Sequence, residues 1–347
     1  MCGNEAMAEA AIIAGCDAYF GYPITPQNEI SAYMAQRMPE EGRVFIQSES
    51  ELAAINMVFG ASATGKRAMT SSSSPGISLM QEGMSYLAGA ELPAVVINVM
   101  RGGPGLGNIS PAQGDYFQAT RGGGHGDYKT IVLGPSSVQE MADCMLLAFD
   151  LADQYCITVE ILVDGLLGQM MEPLTLEHKP RRKLPAKDWA LTGHKSGRQN
   201  IVRSLWLGEG VLERHNEKLQ AKYREIQKQE VLCEEYRLDG AEIVLVAYGI
   251  VARIARAAVD QGREEGIPVG LIRPITLWPF PSQQISRAAE EFRLFLTAEM
   301  SSGQMVEDVR LAVAGQAPVL FYGRMGGGIP SAEELLGKIR ELTLSKR

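Results

Sequence analysis

A chain of 347 residues with 46% hydrophobic and 21% charged content is long enough for two α/β units, each with its own core, joined by a connector. Its net charge of −8 argues against the dense basic face that nucleic acid requires, and no apolar run reaches the ~20 residues that span a bilayer. The opening "MCGNEAMAEA" has neither the basic region nor the apolar segment of a signal peptide, so a cytoplasmic location is expected. Cys2, Cys16, Cys144, Cys156 and Cys233 form no C-x-x-C pair and have no histidine at ligand spacing. Disulfides, a structural zinc and an iron–sulfur cluster carried by this chain alone are therefore disfavoured.

Over residues 1–175 short apolar runs alternate with helical stretches. The pattern predicts helix 4–15, strand 17–21, helix 27–37, strand 43–47, helix 51–64, strand 68–72, helix 76–89 and strand 93–99. An extended glycine-rich segment at 101–126 follows, then strand 129–133, helix 137–153 and strand 157–162. Such alternation implies βαβ crossovers and a mostly parallel sheet covered by helices on both faces. Residues 176–239 break the rhythm. The basic "PRRK" at 180–183 reads as solvated linker, and "EKLQAKYREIQKQEVLCEEYRL" as a charge-dense amphipathic helix with no role beyond linking. From 240 to 347 the βα pattern resumes, with "AEIVLVAYG", "PVGLIRPITLWPFP", "RLFLTAEM" and "PVLFYGRMGGG" as strands of a second, smaller α/β domain.

No phosphate-binding G-x-x-x-x-G-K-[ST] loop occurs, and no G-x-G-x-x-G opens a helix directly after a strand. A nucleotide-binding dehydrogenase is thereby disfavoured. "SESELAAINMVFGASATGKRAM" (48–69) places Glu49 and Glu51 where a strand gives way to a helix. Acidic residues in a first turn favour the helix dipole by ~0.3–1 kcal/mol. That does not explain Gly60 within the helix, at ~1 kcal/mol against alanine, so a tightly packed face is expected there. In "GYPITPQ" (21–27) Thr25 stands between Pro23 and Pro26, and local sequence allows it to be a helix N-cap with proline at the next position.

The blocks "GYPITP", "QSESELAAINMVFGASATGKRAMTSSSSPGISLMQE", "VMRGGPGLGN", "GGHGDY", "LIRPITLWPFP" and "EMSSGQMVEDVR" together resemble the alpha-type subunit of the 2-oxoacid:ferredoxin oxidoreductases, in the pyruvate:ferredoxin oxidoreductase superfamily. The likeness runs in order over nearly the whole chain. It is strongest to the branched-chain (3-methyl-2-oxobutanoate) and 2-oxoglutarate enzymes with separate subunits. It implies thiamine diphosphate chemistry divided between polypeptides, with a pyrimidine-binding domain at 1–175 and a transketolase C-terminal-like domain at 240–347. A beta-type partner would hold the diphosphate, Mg2+ and an iron–sulfur cluster, alongside gamma and ferredoxin-like subunits. The absence here of a G-D-G with a downstream asparagine, and of cluster-type cysteine spacing, agrees with that division.

The resemblance gives Glu51 the task of hydrogen bonding the cofactor pyrimidine, with Glu49 as the alternative, and sets Tyr22 and Pro23 beside the cofactor. It makes Thr25 and Arg101 the residues that place a 2-oxoacid, whose acyl group passes to coenzyme A and whose electrons pass to ferredoxin. The family often reads G-P-S-T-G after the arginine, whereas this chain has Gly103, Pro104, Gly105, Leu106 and Gly107, which changes the hydroxyl contacts available there. His125 is expected to meet the partner subunit and Trp278 to serve packing. The intact Thr25, Glu51 and Arg101 set weighs against a non-catalytic assembly subunit.

Overall fold

The computed structural model describes residues 1–176, 182–193 and 200–344. Its first part runs α1 (Gly3–Ile13), β1 (Ala18–Gly21), α2 (Asn28–Glu40), β2 (Val44–Gln47), α3 (Glu51–Ala63), β3 (Ala68–Ser72), α4 (Ser74–Gly89) and β4 (Ala94–Met100), then α5 (Tyr116–Arg121), β5 (Ile131–Leu133), α6 (Val138–Tyr155), β6 (Thr158–Asp164) and α7 (Gly165–Gln169). The second part runs α8 (Val211–Gln229), β7 (Cys233–Tyr236), β8 (Ile243–Val246), α9 (Gly249–Glu264), β9 (Val269–Pro274), β10 (Thr276–Trp278), α10 (Ser282–Glu291), β11 (Leu294–Glu299), α11 (Met305–Val313), β12 (Val319–Gly323) and α12 (Ala332–Leu344).

Two sheets result, with orders β10-β5-β6-β4-β3-β1-β2 and β12-β11-β8-β9-β7. Every pairing is parallel except the two made by β10 and β7. Strands β3, β4 and β6 are buried along their whole length, as a parallel sheet covered on both faces demands. Alternate residues serve opposite cores. Met69, Val95 and Ile97 join α1, α2 and α6 in one cluster, while Ala68 and Val96 join α3 and α4 in another.

Sequence expectations change at several points. The single run 268–281 becomes two strands in different sheets: β9 lies in the second sheet, and β10 crosses to pair antiparallel with β5 in the first. The second unit thus donates an edge strand to the first, and Leu277 and Trp278 are buried where it does so. The connector helix is not merely solvated. Leu219, Tyr223 and Ile226 of α8 are buried, Tyr223 meets Trp278 edge-on at 5.9 Å, and Lys222 pairs with Glu91 at 3.1 Å. Of "PRRK", Arg182 is held by both carboxylate oxygens of Glu230 at 2.7 Å and so is not free linker, while Pro180 and Arg181 lie outside the described residues. Strand β7, within the stretch read as connector, hydrogen-bonds to β9, and α12 is a further helix beyond those expected.

The glycine-rich segment is pinned to the second unit. Buried Gln113 exchanges hydrogen bonds with the Met300 backbone (2.8 and 3.0 Å) and donates to the Tyr248 carbonyl at 3.0 Å, and the Tyr116 hydroxyl donates to Asp308 at 2.6 Å. On the opposite side Arg273, 4% exposed, makes a two-pronged pair with Glu140 of α6 (2.7 and 2.8 Å) and a further bond to Glu234 of β7 at 2.7 Å. Removing the guanidinium strands two carboxylates that keep partial access to water, which tempers the full cost of a broken buried pair. Arg273→Met is expected to cost about 2 kcal/mol, read as a lower urea midpoint.

Candidate active site

In an open parallel sheet the crevice for ligands lies at the carboxyl ends of the strands, where successive connections diverge. Here β1 leads through α2 to β2 on one side, and β3 leads through α4 to β4 on the other. Thr25 follows β1, Glu51 follows β2, Ser72 ends β3 and Arg101 follows β4, so all four stand along one edge.

Glu51 is the first residue of α3. Ser50 caps the helix, its Oγ accepting from the Ala53 N–H at 3.2 Å, and the acidic side chain in the first turn suits the dipole. The carboxylate is nevertheless 5% exposed. It accepts a long hydrogen bond from the Ser72 hydroxyl at 3.4 Å. Gly76, in the first turn of α4, faces it so closely that a Cβ there would come within 2.7 Å of Glu51 Cγ. Glu49, two residues earlier, is exposed. The tight helix contact expected at Gly60 is not made there, since Gly60 is exposed with open space around it. Close packing comes from the opposing helix instead: a Cβ on Gly83 of α4 would approach Ile55 Cγ1 of α3 to 2.8 Å.

Thr25 is partly exposed and does not cap a helix. The N-cap of α2 is Gln27, because the loop spends two further residues, across a cis Thr25–Pro26 peptide, before turning into the helix. The threonine Oγ accepts from Asn28 Nδ2 at 3.2 Å, which leaves its own O–H to donate elsewhere. The fully buried Asn4 holds the loop from behind, donating to the Pro26 carbonyl at 2.8 Å. Tyr22 and Pro23 are exposed on the outer side of the turn.

Arg101 reaches back over the same loop. Its Nη1 donates to the Thr25 carbonyl at 3.0 Å and its Nη2 to the Leu106 carbonyl at 3.1 Å, while Nε is buried and unpartnered. Its backbone N–H donates to Ser74 Oγ at 3.1 Å, and that hydroxyl donates to Asp115 at 2.5 Å. Asn98 Nδ2 joins the same carboxyl oxygen at 3.0 Å. Burial pushes the Asp115 carboxyl up. Deeper in the sheet the fully buried Glu160 of β6 is pushed up to about 8 by burial and then by Asp115, which favours its neutral form.

Thr25 and Arg101 are thus brought into contact, and Glu51 lies beside Ser72 and Gly76, the residues leading into and opening α4. His125 is elsewhere. It is exposed, its carbonyl accepts from Ser85 at 2.7 Å, and it lines a cleft with Tyr86 and Leu212 of α8. Ser74, Gly76, Asn98, Asp115 and Glu160 escaped the sequence reading. The run "TSSSSPG" is the signal for Ser74 and Gly76, and a glutamate inside the apolar "TVEILVD" is the signal for Glu160, while Asn98 and Asp115 are marked by no motif.

The residues fit the pyrimidine end of thiamine diphosphate, since a buried carboxylate stands where glycine has kept the neighbouring helix clear of side chain. The fold is a doubly wound parallel unit joined to a smaller α/β unit. A solved split-gene transketolase chain superposes over all of this chain with a TM-score of 0.64 at 15% identity, a likeness of fold alone. Residues 9–235 match the family described as "Pyruvate flavodoxin/ferredoxin oxidoreductase, thiamine diP-bdg", and residues 241–335 match "Pyruvate:ferredoxin oxidoreductase core domain II". The chain belongs to the 2-oxoacid:ferredoxin oxidoreductases, as a subunit of the alpha type. It is 54% identical to ketoisovalerate oxidoreductase subunit VorB of Methanothermobacter thermautotrophicus, over 98% of this chain and 96% of that one. It is 38% identical to 2-oxoglutarate synthase subunit KorA of Methanothermobacter marburgensis, over 97% of each. The solved 2-oxoglutarate:ferredoxin oxidoreductase of Magnetococcus marinus, with 2-oxoglutarate, coenzyme A and succinyl-CoA bound, gives a TM-score of 0.88 at 26% identity. It is matched over 98% of this chain but 64% of its own length, so about a third of that solved chain has no counterpart here.

Proposed function

We propose that this chain supplies the cofactor-activating and substrate-placing half of a cytoplasmic complex that oxidatively decarboxylates 3-methyl-2-oxobutanoate, with coenzyme A taking the acyl group and ferredoxin the electrons. The observation that carries it is the buried Glu51 under Gly76, at the sheet edge where Thr25 and Arg101 already touch. In this reading 1–175 is the pyrimidine-binding domain, 176–239 the connector and 240–347 the transketolase C-terminal-like domain. A beta-type partner holds the diphosphate, Mg2+ and iron–sulfur cluster, and gamma and ferredoxin-like subunits complete the complex. No described helix is long and apolar enough to cross a membrane.

Thiamine diphosphate, when bound, supplies the nucleophilic carbon that lets the carboxyl group leave as carbon dioxide. Glu51 would hold a proton at its carboxyl oxygens for exchange with the pyrimidine ring, sheltered from water that would otherwise compete for it. Tyr22 and Pro23 would flank the same ring from the exposed side of the turn. Thr25 would donate its free O–H to an oxygen of the 2-oxoacid, adding no charge. Arg101 is half-buried, and each of its terminal nitrogens has one hydrogen beyond those given to the Thr25 and Leu106 carbonyls, which it would offer to the substrate carboxylate.

A 2-oxoglutarate enzyme is the second reading, favoured by the 38% identity to KorA. Dye-linked rates of the complex with 3-methyl-2-oxobutanoate, 2-oxoglutarate, pyruvate and an aryl pyruvate decide between them. The highest kcat/KM is expected for 3-methyl-2-oxobutanoate, and a higher value for 2-oxoglutarate overturns the substrate assignment.

A further inference from the structure

Beside Thr25 the structure holds a cleft of about 410 Å³ that none of the steps above uses. Its walls come from four separate places: the Thr25 loop with the start of α2, the glycine-rich segment at Ile109, α7 at Leu166 and Gln169, and Ile329 of the second unit. Three of these are aliphatic side chains, and none of the lining residues is basic. The one charged wall is Glu29, whose carboxylate is held at 2.8 Å by Nδ2 of the buried Asn4, the same amide that fixes Pro26.

These walls discriminate. A 2-oxoacid whose carboxylate meets Arg101 and whose oxygen meets Thr25 must send its tail away from both groups. A branched hydrocarbon tail entering this cleft meets Ile109, Leu166 and Ile329 and leaves water. A tail ending in a second carboxylate meets the same apolar surface, finds no cation to pair with, and lies alongside the anchored anion of Glu29. Burying such a charge unpaired is costly, and a like charge held in place adds repulsion. Asn4 prevents Glu29 from simply swinging aside, because moving it would break a buried amide's hydrogen bond.

We propose that this cleft is the side-chain pocket of the substrate, with Ile109, Leu166 and Ile329 selecting a branched aliphatic tail and Glu29 excluding a dicarboxylate. The pocket rests on the 2-oxoacid reading given above and adds to it the residues that set selectivity. It also assigns a role to the second unit, since Ile329 lies in the loop after β12 and closes a cleft otherwise built by the first.

The test measures two ratios of kcat/KM on the native complex and on variants carrying Glu29→Gln, Glu29→Lys or Ile329→Ala in this subunit. The first ratio is 3-methyl-2-oxobutanoate over 2-oxoglutarate. It is expected to fall at least tenfold in Glu29→Lys and by a smaller factor in Glu29→Gln. The second is 3-methyl-2-oxobutanoate over pyruvate, expected to fall by about tenfold or more in Ile329→Ala, as apolar contacts in a selective pocket ordinarily do. Should the lysine variant fail to assemble, the other two decide the matter. A native complex that prefers 3-methyl-2-oxobutanoate while both ratios stay within twofold in the variants overturns the pocket and leaves the function standing. A native complex with no turnover of 3-methyl-2-oxobutanoate overturns the function and the pocket with it.

Discussion

Glu51→Gln is expected to lower kcat of the complex by about a thousandfold, the scale on which a positioned proton-transfer group contributes, while leaving the protein folded and assembled. Glutamine has nearly the volume of glutamate, so the close packing under Gly76 and the approach of the Ser72 hydroxyl are retained. The Ser50 cap does not involve the Glu51 side chain and survives as well. What the amide cannot do is exchange a proton, and the deficit should therefore fall on kcat with thiamine diphosphate affinity changed little. Size-exclusion chromatography with the partner and calorimetric titration of the cofactor measure the retained properties; dye reduction measures the lost one. Glu49→Gln, at an exposed position, is expected to stay within twofold of the native rate. A Glu51→Gln complex close to native activity moves the role to Glu49 or removes it from both.

Much of the fold is legible in the sequence because a parallel sheet buried on both faces writes itself as apolar runs separated by helices. Strands β1 to β6 and the helices between them fall within a few residues of the periodicity, except for α5 (Tyr116–Arg121), a short helix inside the 101–126 segment expected to be extended. What periodicity misses is where a run changes partners. "PVGLIRPITLWPFP" is apolar apart from Arg273 and Thr276, since β9 and β10 are both buried, and its pattern does not say that the chain leaves one sheet for the other near Ile275. The packing of the connector helix is hidden for a related reason: three buried residues among charged neighbours give a weak stripe, though Tyr223 and Ile226 rest against the main core.

The site is legible as residue types and less so as geometry. Glu51, Thr25 and Arg101 stand out through the family pattern, but that Arg101 binds the Thr25 carbonyl, and that Asp115 with Ser74 carries the Arg101 backbone, are facts of tertiary contact. Gly60 drew attention as the costly glycine inside α3, whereas the glycines that shape the site are Gly76 and Gly83 on α4, invisible until the two helices face each other. The threonine between two prolines looked like a helix cap and is a loop residue instead, held from behind by Asn4.

In the proposed function this chain brings Glu51, Thr25 and Arg101 to a site that a partner completes, a division consistent with a sequence that has no diphosphate motif of the G-D-G type. That proposal assigns the diphosphate, its metal and the iron–sulfur cluster to the partner, in keeping with five cysteines that are scattered without cluster-type spacing. Activity should therefore be a property of the assembly. The decisive measurement is 2-oxoacid-dependent viologen reduction, with coenzyme A, thiamine diphosphate and Mg2+, by the purified chain alone and again after adding its beta-type partner. A divided site requires no rate above background from the chain alone and full turnover on mixing; robust turnover by the isolated chain would show that one polypeptide holds the whole site.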